Sequence, residues 1–255
     1  MSDPTRLRRV LRQNLQLEQL LGVEAIAVPR AELAAARRTP RARTPAGAVA
    51  TPASQGDGGK ASQLAAMDQE EVRSCEKCGL AATRTNTVFG QGDPDARVVF
   101  VGEAPGFEED RQGVAFVGRA GQLLTRMIVA MGLTREQVFI CNVLKCRPPN
   151  NRDPAADEIL ACSPYLMRQL KIIRPEVIIA LGAPAARTLL QTGDSIGRLR
   201  GRFHDFYPDG PLSGDPVPLM PTYHPAYLLR SPDMKGRAWS DLQQVMKRLG
   251  LQAPG

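Results

Sequence analysis

The stretch VVFVGEAPGFEEDRQGVAFVG, residues 98–118, runs an unbroken apolar segment straight into a glycine-rich acidic loop. Three further β-branched runs resemble its first half: VFICNV at 138–143, EVIIALG at 176–182 and VPLMPTYH at 217–224. Their near-continuous apolarity suits strands covered on both faces, which means a parallel sheet. Helical periodicity fills the intervals at 119–131, 154–173 and 183–191, with a last helix over 236–249. Pro184 and the Asp153-Pro154 pair supply helix-start chemistry. The alternation predicts an α/β fold, a three-layer α/β/α sandwich around a central four-stranded, mainly parallel sheet. Ligands of such sheets collect beyond the carboxyl ends of the strands. Glu103, Asn142, Gly182 and His224 all fall there.

Composition divides the chain of 255 residues into three zones. Residues 1–27 form a basic amphipathic helix, with leucines at mostly helical spacing among Arg6, Arg8, Arg9 and Arg12. It could dock on a protein partner. Residues 28–71, rich in Ala, Pro, Arg and Gly, have too few large apolar side chains to offset the entropy of ordering, and predict a disordered linker. The globular body is expected over 72–250. A net charge of +7 makes a polyanionic partner plausible without choosing between nucleic acid and an acidic surface. No apolar run approaches the roughly 18 residues needed to cross a bilayer, and no secretory signal opens the chain. These features lead us to expect a soluble, cytoplasmic monomer.

Four of the five cysteines fall into two groups, Cys75 with Cys78 and Cys146 with Cys162. A CxxC turns two thiolates toward one point, and a second pair completes the four sulfur ligands that zinc or an iron-sulfur cluster prefers. A redox CxxC would not explain the second pair. The wide separation of Cys146 from Cys162 is not the close spacing of a zinc ribbon and favours a cluster. Cys141, inside an apolar run, reads as a buried core residue.

The loop after the first strand does not suit a phosphate. Glu103, Glu108, Glu109 and Asp110 would repel one, and no GK[ST] follows. A carboxylate that orients water or accepts a proton fits better, with Glu108 and Asp110 as solvated turn residues. Phe116 could stack on a planar ligand or pack in the core. His224, one of two histidines, precedes Pro225 and so ends a strand in an extended conformation.

Three segments carry a resemblance: GEAPGFEEDRQGVAFVGRAGQLL at 102–124, CNVLKCRPPNNRDP at 141–154 and HPAYLLR at 224–230. Together, in this order, they resemble the family 4 uracil-DNA glycosylases, the iron-sulfur branch of the uracil-DNA glycosylase superfamily. The likeness covers about residues 72–250. It implies a structural 4Fe-4S cluster on Cys75, Cys78, Cys146 and Cys162, and uracil-containing DNA as the partner. It implies a uracil pocket lined by Glu103 and Ala104, with Phe116 stacked on the base and Asn142 reading its edge. His224 would sit near O2 and stabilise the departing anion, with Glu103 and His224 as the catalytic pair. Glu109 would help refuse a 5-methyl group. Leu228, Leu229 and Arg230 would fill the gap left in the duplex, and Arg200, among Arg147, Arg152, Arg198 and Arg202, would contact phosphates. No lysine suggests Schiff-base chemistry, so the implied enzyme is monofunctional. A uracil-capturing relative would carry GEQPG and a basic insertion. A zinc-bearing nucleic-acid-binding module would leave Asn142 and His224 without a role.

Overall fold

In a computed structural model, residues 59–210 and 213–253 are described. The expected basic helix over 1–27 and residues 28–58 of the expected linker lie outside them. The four apolar runs form β2 (Val98–Gly102), β3 (Phe139–Asn142), β4 (Val177–Leu181) and β6 (Val217–Thr222). They pair in parallel in the order β3-β2-β4-β6. The sheet has six strands, not four. β1 (Gln91–Gly92) and β5 (His204–Phe206) add antiparallel edges beside β3 and β6. Two- and three-residue strands leave no apolar run to read, and as short edges they limit the unpaired backbone open to another chain.

Alternation along each strand divides the core. Val99, Val101, Ile178 and Ala180 face one layer with Leu64, Leu166, Leu170, Ala186 and Leu189. Val98, Phe100, Ile179 and Leu181 face the other with Leu124, Ile128, Leu242 and Val245. These side chains come from α1 (Lys60–Met67), α4 (Ala156–Ile173) and α5 (Ala183–Leu190) on one side, and α3 (Arg119–Ala130) and α8 (Lys235–Leu249) on the other. Period-two strands covered by helices on both faces make the expected sandwich.

The body starts earlier than composition suggested. α1 buries Leu64 and Met67, and Val72 follows through a short π-helical stretch. Lys60 Nζ donates to the Ile173 carbonyl at 2.8 Å, and Arg168 pairs with Glu71 at 2.6 Å. Three buried apolar side chains suffice here because the partner surface is already present, which window composition does not register.

From β2 the chain moves to one side for β3 and to the other for β4. The crevice at this switch of direction lies at the carboxyl end of β2. Gly102 and Asn142 pair there in register, and Gly182 N–H donates to the Thr222 carbonyl at 2.8 Å, bringing the end of β6 alongside.

Candidate active site and cysteine-lined cavity

Asn142 ends β3 with its side chain turned toward Gly102. It is 1% exposed, and its Oδ1 is buried without a hydrogen-bond partner. Such an acceptor costs about 1–3 kcal/mol to hold, so it marks a place where a ligand donor would be welcome. Glycine at 102 is required by close approach. A Cβ there would lie 2.3 Å from Asn142 Oδ1 and 2.5 Å from Phe116 Cζ.

Phe116 completes this corner in a left-handed conformation, φ 53°. Several groups hold that unfavourable backbone in place. Arg135 donates to the carbonyls of Phe116 (3.1 Å) and Ala115 (2.8 Å). Gly121 admits the Phe116 carbonyl where a Cβ would stand 1.9 Å away. Glu109, on α2 (Phe107–Gln112), accepts from the N–H groups of Val117 and Gly118, both at 2.9 Å. Glu109 therefore fastens the loop that carries Phe116.

His224 caps α7 (Pro225–Arg230). Its Nδ1 accepts from Ala226 N–H at 3.1 Å, which puts the ring proton of the neutral imidazole on Nε2. Burial, reinforced by Arg230, lowers its pKa from 6.5 to about 4. The ring keeps a partly exposed edge, yet enough protein surrounds it for desolvation to dominate. It is thus a neutral donor at physiological pH. Its centroid lies 5.7 Å from that of Phe116, with the planes tilted by 37°. Glu103 follows β2, half-buried, its carboxyl raised by burial and then by Asp153. Ala104 beside it is partly buried against the core.

The structure therefore gathers Gly102, Phe116, Asn142 and His224, with Glu103 next in chain to Gly102. It redirects other residues. Leu228 is 1% exposed and packs with Leu123 and Ala238, so in this structure it supports α7 from beneath. Leu229 is half-buried and Arg230 exposed at the end of the same helix. Arg200 is taken up by the fully buried Asp241, at 2.7 and 3.0 Å, and lies over the Tyr223 ring. Thr222 donates to the same carboxylate at 2.7 Å, so Arg200 fixes the strand end before His224 instead of facing a phosphate. Arg152 is likewise held by the buried Glu158 at 2.6 Å. Arg147 lies over the exposed Phe107 ring and bonds Asn151; among the described residues no carboxylate pairs with it.

Away from these groups, Cys75, Cys78, Cys146 and Cys162 line one cavity with Leu80, Arg84, Lys145 and Tyr165. Among the described residues no three His, Cys, Asp or Glu side chains converge on a point that a single ion could occupy. Four thiols around one space are the sulfur ligand set that zinc or an iron-sulfur cluster prefers. Donors already address the sulfurs: Arg84 reaches Cys146 Sγ at 3.5 Å, and Lys145 N–H reaches Cys162 Sγ at 3.2 Å. Burial raises the Cys146 thiol to about 11 against the opposing pull of Arg84, so metal binding would have to displace its proton. Cys141, fully buried in β3, lies outside this set. Lys145 was not singled out from sequence; a lysine beside a cysteine in a basic chain carries no distinguishing signal, and only its burial reveals it.

The family model described as the uracil DNA glycosylase superfamily matches residues 89–243, more than half of the chain. A type-4 uracil-DNA glycosylase of Saccharolobus solfataricus is 48% identical over 71% of this chain and 84% of its own. Similar proteins of the same description come from Archaeoglobus fulgidus, 45% identical over 72% of this chain and 92% of its own, and Thermotoga maritima, 48% over 66% and 85%. A type-5 uracil-DNA glycosylase of Pyrobaculum aerophilum is 36% identical over 39% of this chain and 50% of its own. The chain belongs to the type-4 uracil-DNA glycosylases of that superfamily.

Proposed function

We propose that this chain excises uracil from DNA by hydrolysing its N-glycosidic bond, that it leaves an abasic site without a lyase step, and that it carries a 4Fe-4S cluster on Cys75, Cys78, Cys146 and Cys162. The unpartnered Asn142 Oδ1 carries the reading. Uracil presents a donor at N3 beside an acceptor at O4, and a carboxamide can accept from the one while donating to the other. Cytosine has no proton at N3 and an amino group in place of O4, so the same amide would meet it with the wrong polarity.

The nucleotide must first leave the stack, which costs a few kcal/mol and least for a mispaired base. Phe116 then offers its ring face to the base. As the glycosidic bond lengthens, negative charge builds on the departing ring, and the Nε2 proton of the neutral His224 is available to the O2 atom. Such a fixed dipole stabilises the anion without a full proton transfer. Glu103, half-buried at the mouth of the crevice, is the carboxylate we assign to water or to the developing positive charge on the sugar. The cluster, held on thiolates remote from these groups, would supply cross-linking of the chain. Of the arginines considered from sequence, Arg147 retains a charge free to meet the DNA backbone, and Arg230 stands exposed beside the pocket.

The test is incubation of the purified protein with a labelled oligonucleotide containing one uracil, followed by hot alkali to cut abasic sites. Cleavage confined to the uracil strand, absent from a thymine control and strongly reduced in Asn142→Ala, is expected. A folded protein that leaves the uracil strand intact would refute the hydrolase.

A further inference from the structure

Lys145 is an anomaly of charge. Its side chain is 1% exposed, yet among the described residues it pairs with no carboxylate. Nζ donates to two neutral acceptors, the Asn142 carbonyl at 2.8 Å and Gln169 Oε1 at 2.6 Å. Gln169 is held in turn by the Phe89 carbonyl at 2.9 Å, which fixes its oxygen toward the ammonium. Asp68 acts on the lysine only at longer range and is itself bonded to Arg73. A buried charge without a counter-ion is costly, and breaking or leaving one unpaired ordinarily destabilises a fold.

The compensating charge has an evident place. The same residue lines the cysteine cavity, and its N–H bonds Cys162 Sγ. A cluster ligated by four thiolates carries net negative charge, and buried outer donors and cations are the usual means of tuning such a centre. Lys145 therefore touches both halves of the molecule: the cavity through its backbone and charge, the base-reading residue through its ammonium.

We propose that Lys145 is the positioning residue that couples the two, serving as the buried counter-ion of the cluster while its ammonium fixes the strand end from which Asn142 addresses the base. This rests on the function and cofactor proposed above. The coupling is reciprocal: a filled cavity retains the ammonium, and the ammonium keeps the Asn142 amide in register with Gly102 and Phe116.

Two variants test it in the full, cluster-loaded chain. Lys145→Met removes the charge at similar length. Gln169→Glu keeps the lysine and the shape of its neighbour but offers the ammonium a competing carboxylate. Cluster loss under chelator, followed by visible absorbance, and single-turnover excision of uracil at saturating DNA are read in parallel, with DNA affinity measured separately. Removing an outer-shell partner typically costs about tenfold or more, so both variants should lose the cluster about tenfold faster and excise about tenfold more slowly, with DNA affinity nearly unchanged. Should Lys145→Met not fold, Gln169→Glu decides alone. A folded variant that holds its cluster like wild type overturns the counter-ion role; one that loses it faster but excises uracil at the wild-type rate overturns the coupling. A merely structural lysine would lower thermal stability and move neither rate in the surviving folded protein. A wild-type chain that is colourless, or that excises no uracil, refutes instead the cofactor or the activity on which the inference rests, and these controls are read first.

Discussion

Replacing Asn142 with leucine should strengthen the free protein while disabling it. The side chain is 1% exposed and its Oδ1 has no partner, so the folded state bears the desolvation of that oxygen without return. Leucine has nearly the same shape and lacks the acceptor. Removing an unsatisfied buried polar group recovers part of a penalty of about 1–3 kcal/mol, from which tight contact with Phe116 and Gly102 subtracts. A net gain of about 1 kcal/mol corresponds to a rise of about 2–4 °C in Tm for a body of this size. Function moves the other way. Uracil would leave its N3 proton unpaired in a dry pocket, at a similar cost of about 1–3 kcal/mol, which lowers excision by about 10- to 100-fold. Scanning calorimetry and single-turnover excision on a uracil oligonucleotide measure the two effects on one preparation. A leucine variant less stable than wild type by more than about 1 kcal/mol would mean that the amide makes a structural bond and is not held for a ligand. A stable variant with unchanged excision would remove Asn142 from base recognition.

Gly102→Ala should fold with a loss of about 1–3 kcal/mol and little activity, because its Cβ meets Asn142 Oδ1 and Phe116 Cζ well inside contact distance; thermal melts and the oligonucleotide assay check both. Arg200→Ala leaves the fully buried Asp241 unpaired and should destabilise by about 3 kcal/mol in chemical denaturation, while the salt dependence of DNA binding stays as in wild type; a reduced salt slope would return Arg200 to the phosphate contacts. On the acid side, excision should fall at a pH above the ordinary 4.5 of a glutamate, through Glu103, and Glu103→Gln should abolish that limb; a limb centred at 6.5 that persists in Glu103→Gln would mean that His224 titrates in the open. His224 also bears on stability: its folded pKa is depressed to about 4, so the unfolded chain binds the extra proton, and stability present above pH 6.5 is lost as pH falls toward 4, by up to ~3 kcal/mol that His224→Gln should remove.

What the sequence disclosed about the fold followed from continuous apolar runs. The strand at 98–102 and its three parallel partners could be read because burial on both faces leaves no polar alternation to confuse with a helix. The two edge strands and α1 escaped for the opposite reason, since each depends on a neighbour that only the folded chain supplies. The positions of Asn142 and Glu103 could be read because each stands at the end of such a run. Long-range partners could not be read: Arg200 is 41 residues from Asp241, and Glu109 is engaged by N–H groups across a loop. Leu228 looked available because helical spacing over six residues cannot say which face is covered. Lys145 was invisible because nothing local sets a buried lysine apart from an exposed one.

A cluster on the four cysteines, as proposed, would serve the scaffold and not the chemistry. Between Cys78 and β2 the chain has one 3-10 turn and a two-residue strand, with few buried apolar side chains beyond Leu80, Val88 and Phe89. It is fastened by hydrogen bonds: the buried Asp110 accepts from the N–H groups of Thr85 and Asn86, Arg84 donates to the Cys75 carbonyl, and Val88 N–H donates to the Lys145 carbonyl. In the segment from Arg147 to Ala155, Asn150 and Asn151 are both left-handed, Pro148 alone is buried, and Arg152 with Glu158 makes its one ion pair among the described residues. Cys78 and Cys146 stand at the starts of these two stretches, and Cys162 lies on α4 beyond the second. Joining Cys75 and Cys78 to Cys146 and Cys162 would fasten both to the same point. Phe116, Asn142, His224 and Glu103 are absent from the cavity lining, so a centre held there has no direct contact with the groups assigned to the base. Among the described residues that line the cavity, Lys145 bonds Asn142, so the influence of a cluster on excision should pass through the placement of Asn142 and not through electrons.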